Sequence, residues 1–145
     1  MRKVDTYEYV TMLKGLIEEG HEVNMVIAGS SMAPFLCNER DCVYLKAPDG
    51  KLKVGDIVFF QRPGGQYILH RICRIKKDGY YIVGDAQTQI EGPVSREQIF
   101  AVATAAKRKG KMIGHGDFWW DFFEKVWPRV IPLRPAIRRL YGLIK

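Results

Sequence analysis

The chain contains three serines, and two of them, Ser30 and Ser31, are adjacent in the corner Gly29–Ser30–Ser31–Met32–Ala33–Pro34, after the apolar run Glu22–Ala28. A glycine-bearing corner after a strand can lift a hydroxyl clear of a sheet and leave backbone N–H groups facing an oxyanion, two requirements for nucleophilic attack on a carbonyl. A serine hydroxyl also needs a base, because it is almost wholly protonated at neutral pH. Of the three histidines, His21 falls at a helix-to-strand junction and His115 lies between Gly114 and Gly116, whereas His70 sits inside the apolar run Tyr67–Ile68–Leu69–His70–Arg71–Ile72. Each feature alone has a plain reading: the corner as a turn, the strand histidine as a satisfied core residue.

These residues need elements to position them. Tyr9, Val10, Leu13, Leu16 and Ile17 recur at helical spacing, with Asp5 and Glu8 as a capping-box-like pair and Gly20 as a stop, which predicts an amphipathic helix over residues 5–19. Strands are predicted at Glu22–Ala28, Cys42–Lys46, Asp56–Phe60, Gln66–Ile75, Tyr80–Val83 and Ile99–Thr104, separated by turn sequences such as Pro63–Gly64–Gly65, Asp78–Gly79 and Glu91–Gly92–Pro93. Short strands at this spacing predict a mainly β fold, a sheet or barrel. The chain lacks βαβ alternation, a glycine-rich phosphate loop and internal repeats, which argues against nucleotide-dependent classes.

With 145 residues, 47% hydrophobic and 27% charged, the composition is that of one folded domain. Three cysteines (Cys37, Cys42, Cys73), without a close CxxC pair, favour neither a disulfide framework nor a structural metal and read as reduced, mostly buried thiols. No run is long and apolar enough to cross a bilayer, and no secretory signal opens the sequence, so a cytosolic location is expected. The net charge of +7 is uneven: residues 1–105 hold 13 Lys+Arg against 13 Asp+Glu, and residues 106–145 hold 10 against 3. That last segment carries Trp119, Trp120 and Trp127 among phenylalanines, with prolines at 128, 132 and 135. It reads as two short amphipathic pieces joined by a proline hinge, with Ile137, Leu140, Tyr141 and Ile144 on one face of the second. The expected division is therefore a domain over 1–111, with its β-rich core at 22–104, followed by a basic aromatic tail over 112–145.

Four segments in register resemble the boxes of type I signal peptidases and the related LexA-like self-cleaving repressors. Gly29–Ser30–Ser31–Met32–Ala33–Pro34–Phe35–Leu36 is similar to their Ser-Met-x-Pro-x-Leu nucleophile box, and Gly55–Asp56–Ile57–Val58–Phe59–Phe60 to the second, Gly-Asp box. His70–Arg71–Ile72 is similar to the strand that carries the base, and Gly84–Asp85–Ala86–Gln87 to the late Gly-Asp-x-x box. The resemblance runs from about Val26 to Val102. It implies a β-rich peptidase fold in which Ser31, directly before Met32, attacks the scissile carbonyl and His70 acts as base.

Most bacterial members place a lysine where this chain has His70; histidine is the pattern of the endoplasmic-reticulum and sporulation-type enzymes. An imidazole, with a free pKa near about 6.5, needs far less tuning than a lysine near about 10.4. The fourth box implies Asp85 as the group that orients the imidazole or organises the site, with Glu91, six residues later, as the alternative acid. The chain departs from the family at Gly29, where many members carry a hydroxyl that assists the oxyanion, which leaves the Ser31 amide as the expected donor. A second departure is the amphipathic helix in place of an N-terminal membrane anchor.

The function so implied is a serine endopeptidase that cleaves a leader or signal segment from a peptide or protein precursor, without a metal or an organic cofactor. The alternatives are an inactive peptide- or membrane-binding module of the same fold, or a domain that cleaves only its own chain. The expected partner is the precursor; the tail reads equally as a contact with an anionic membrane surface through Trp119, Trp120 and Trp127 or as a helix packed on the body of the same domain. Residues 107–111 form a short basic run without a DNA-binding motif, so no nucleic acid is expected. The expected location is the cytosol or the cytosolic face of a membrane.

Overall fold

The structure, a computed structural model, describes residues 6–144, with side chains at 7–140. The Asp5 half of the predicted cap, and the side chains of Tyr141 and Ile144, lie outside the described residues. The fold is mainly β. A helix α1 (Thr6–Glu18) precedes β1 (Val23–Val26), β2 (Cys42–Lys46), β3 (Ile57–Gln61), β4 (Tyr67–Lys76), β5 (Gly79–Val83), β6 (Glu91–Val94), β7 (Ile99–Arg108) and β8 (Lys111–Ile113). Helices α2 (Phe118–Lys125) and α3 (Arg134–Ile144) follow, joined by 3-10 turns at Trp127–Arg129 and Ile131–Leu133. The strands form one antiparallel sheet in the order β1-β2-β7-β3-β4-β5-β6, with β8 pairing beside β7.

Strand β3 shows how the sheet is held. All four residues Ile57–Phe60 are buried because both faces are covered. Ile57 and Phe59 join a core with α1, Phe35, Phe100 and the α2 aromatics, while Val58 and Phe60 join a second core with Leu52, Ile72, Ile82, Val94 and Ile99. Alternation along a strand makes this division unavoidable. On the first face α1 contributes Val10, Leu13 and Ile17; Tyr9 and Leu16, expected on the same stripe, are exposed.

The boundary expected at 111/112 does not divide the molecule. It cuts through β8, which pairs with β7, and Ile113, Trp120, Phe123 and Trp127 all belong to the main core. Trp120, Phe123 and Trp127 recur at i, i+3 and i+7, so α2 and its continuation present one face, and Phe35 meets the first two at ring distances of 5.9 and 4.7 Å. The prolines begin turns instead of breaking helices: Pro128 and Pro132 lie at the starts of 3-10 turns and Pro135 in the first turn of α3. Glu91–Gly92–Pro93, predicted as a turn, lies in β6 at the edge of the sheet, where proline costs no ladder bond. The three cysteines are free and half-buried, more open than expected.

Candidate active site

The serine corner is fixed from both ends. After β1, the Ile27 N–H donates to Asp41 O and Ile27 O accepts from the Glu39 N–H, both at 2.8 Å. Gly29 follows at φ +87, a conformation that suits glycine, and its N–H donates to Asn38 Oδ1 at 2.8 Å. Beyond the serines, Met32, Phe35 and Leu36 are buried, and Arg108 Nε donates to Phe35 O at 2.7 Å. The Ser31 carbonyl oxygen accepts the Ala86 N–H at 2.9 Å, tying the corner to the turn after β5. The Ser31 N–H donates to no acceptor among the described residues.

His70 lies in β4, opposite Val58 of β3, and is buried. Ser31 and His70 line one cavity of about 240 Å³, whose other walls include Met25, Ile27, Met32 and Phe59. They approach each other across Gly84: a Cβ there would lie 2.7 Å from Ser31 O and 3.0 Å from His70 Nε2. Burial pushes the imidazole below its ordinary value; Glu91 and then Asp85 work against that, and Arg62 adds to it. The imidazole is therefore neutral at pH 7 and able to accept a proton.

Neither acid hydrogen-bonds the imidazole among the described residues. The direct contact expected of Asp85 is replaced by a buried bidentate pair: Arg71 Nε and Nη2 donate to its two oxygens at 2.9 and 2.8 Å. Arg71 Nη1 donates to Gly55 O at 2.9 Å, so one guanidinium joins both Gly-Asp boxes. Alternation along β4 directs Arg71 to the face opposite His70, where it lies 5.3 Å from the Phe35 ring centroid. Glu91 is likewise engaged, by Arg62 Nε and Nη2 at 2.8 and 2.6 Å.

Two further residues hold the same turn. Trp127 Nε1 donates to Asp85 O at 2.9 Å, and buried Arg134 donates to Gly84 O, Gln87 O and Trp127 O at 3.0, 2.9 and 3.0 Å. From the sequence, Arg71 and Arg134 have no expected role at the site and Trp127 only a membrane contact. Strand alternation beside His70 is a signal for the first, but an arginine and a tryptophan in a basic aromatic tail carry no mark of burial. The tail's aromatic surface is corrected accordingly: Trp120 and Trp127 are buried, and of the three tryptophans Trp119 alone is exposed.

Away from this site, ligand atoms of His115, Asp121 and Glu124 lie within 4.8 Å of one another. Glu124 already accepts from Trp120 Nε1 at 3.1 Å and faces Lys53 Nζ at 3.6 Å, so local cations and donors answer its charge. No helix among the described residues is long and apolar enough to cross a membrane. No family model, curated protein or solved structure matches this chain.

Proposed function

We propose that the chain is a serine endopeptidase of the signal-peptidase type. The observation that carries this reading is the convergence of Ser31, with an unengaged amide, and a buried neutral His70 on one apolar cavity. His70 takes the Ser31 Oγ proton as the hydroxyl attacks the scissile carbonyl, and the Ser31 N–H steadies the resulting oxyanion. The protonated imidazole returns its proton to the leaving amine, and water, activated by the same imidazole, releases the acyl group. Asp85 serves as site organiser: through Arg71 it fixes the turn that holds the Ser31 carbonyl. Glu91 acts on the imidazole through space.

The substrate is an extended segment of a peptide precursor. Among the described residues strand β1 pairs with β2 alone, and Met25 near its end and Ile27 and Ala28 just after it line the cavity. An extended chain laid along β1 brings its carbonyls past Ser31. The apolar walls and modest volume favour small or medium apolar side chains before the cut.

The test is mass-spectrometric analysis of a library of leader peptides incubated with the wild type, Ser31→Ala and His70→Ala. A product formed by the wild type and absent with both variants is expected. Cleavage that survives Ser31→Ala, or no product from any peptide with the wild type, would overturn the proposal.

A further inference from the structure

Although the first half of the basic tail packs into the core, the described side chains of α3 after Arg134 do not follow it there. Leu133, Ile137 and Leu140 are 58, 36 and 62% exposed. On a helical wheel Ile137 and Leu140 fall within one narrow sector, and Leu133 lies one turn before Ile137. Arg138 and Arg139 are exposed and lie off that sector, each roughly 100° beyond its nearer edge, on the polar face of the helix. An exposed apolar stripe with a cationic face opposite it has the form of a helix lying in the plane of a lipid headgroup region.

We propose that α3 is an interfacial helix that docks the protein on an anionic lipid surface, with Leu133, Ile137 and Leu140 entering the acyl boundary and Arg138 and Arg139 meeting headgroup phosphates. Charge selects this occupant. Helix α3 carries three arginines and no acidic residue, so a second copy packed on the same helix brings arginines toward arginines, whereas an anionic surface neutralises them. The helix is also rooted. Its first residue, Arg134, is buried and holds Gly84 O and Gln87 O of the turn beside His70. Eleven residues of helix span about 16 Å, so docking through α3 sets the cavity close to the bilayer. The inference does not rest on the peptidase reading, because binding is measured without a substrate.

The full chain is co-sedimented with vesicles of phosphatidylcholine plus phosphatidylglycerol, and with vesicles of phosphatidylcholine alone, at low and raised salt. Salt-sensitive binding to the mixed vesicles and little to the neutral ones is expected. Leu133→Gln/Ile137→Gln/Leu140→Gln should weaken it by at least about tenfold, and Arg138→Gln/Arg139→Gln by about thirtyfold. Both sets are on the surface, so unchanged circular dichroism and melting confirm that the fold is retained. The proposal is overturned by equal binding to both vesicle types, by no binding, or by binding that survives the apolar triple substitution. It is equally overturned by self-association that the triple abolishes in the absence of vesicle binding, which assigns the stripe to a second copy.

Discussion

Asp85→Asn separates the two roles a carboxylate at this position can have. The wild-type group is fully buried, and its partner Arg71 is 3% exposed. An amide keeps the volume but removes the charge, leaving a buried guanidinium with Gly55 O and the Phe35 ring. Removing one partner of a buried ion pair costs about 3–5 kcal/mol; the amide oxygen still accepts one bond, so the low end applies. For a chain of this size that lowers Tm by about 10 °C. Arg71→Gln should cost a similar amount, and Arg71→Gln/Asp85→Asn should be less destabilised than the sum by about 1–3 kcal/mol, because two amides replace two charges. Urea melts of all four proteins give the cycle. In parallel, the pH profile of kcat/KM for Asp85→Asn, measured well below its Tm, should move only slightly, since Asp85 acts on His70 through space and less than Glu91 does. A variant with unchanged Tm and a displaced pH profile, or single effects that add, would refute the assignment of Asp85 to Arg71.

Glu91→Gln removes the charge that most raises the His70 value and leaves the Arg62 cation uncompensated. Both effects lower the imidazole further, so the acid limb of the pH–rate profile should move to lower pH; an upward shift contradicts the electrostatic picture. Because burial already holds folded His70 below its ordinary value, the folded state binds fewer protons there than the unfolded one. This contribution to stability is complete above about pH 6.5 and is lost as pH falls through the folded value, so His70→Gln should flatten the acid side of a Tm-against-pH curve. Gly84→Ala would put a methyl group 2.7 Å from Ser31 O and 3.0 Å from His70 Nε2. It should cut kcat/KM by about a hundredfold, and wild-type turnover would remove Gly84 from the argument. Trp127→Phe removes the indole donor to Asp85 O and should lower stability by about 1–2 kcal/mol in a urea melt.

The strands that could be read directly are those whose burial is set by their own residues. Cys42–Lys46 has the predicted bounds, and β3 to β5 differ from expectation by one residue at each end at most. What failed depends on neighbours. Strand β6 contains Gly92 and Pro93 and is a strand only because β5 lies beside it, while β8 is three residues long and exists through β7. Strand β7 runs four residues past its predicted end because Ala105–Arg108 find partners in β2 and β8.

A similar division applies to the candidate site. Ser31 and His70 are singled out as candidates by four boxes in register that resemble a known family, since a glycine corner and a polar residue in an apolar strand each have a plain reading alone. Asp85 was visible as a residue but its partner was not, since Arg71 lies 14 positions away across the β4–β5 hairpin and an arginine is ordinarily assigned to the surface.

The C-terminal segment makes the limit plainest, because one composition does two opposite things in it. Trp120, Phe123 and Trp127 fill the core while Leu133, Ile137 and Leu140 remain outside, and nothing in hydrophobicity distinguishes the two sets. What distinguishes them is Arg134. A guanidinium that finds Gly84 O, Gln87 O and Trp127 O within the protein repays its own desolvation and fixes the point where the chain leaves the core. Arg138, one turn further along, and Arg139 reach no such acceptors among the described residues and are exposed to solvent, as are Ile137 and Leu140. The three arginines of α3, which the sequence presents as part of a single basic tail, are thus divided by geometry into one buried cation that holds the proposed catalytic turn and two that stay in solvent beside an exposed apolar stripe.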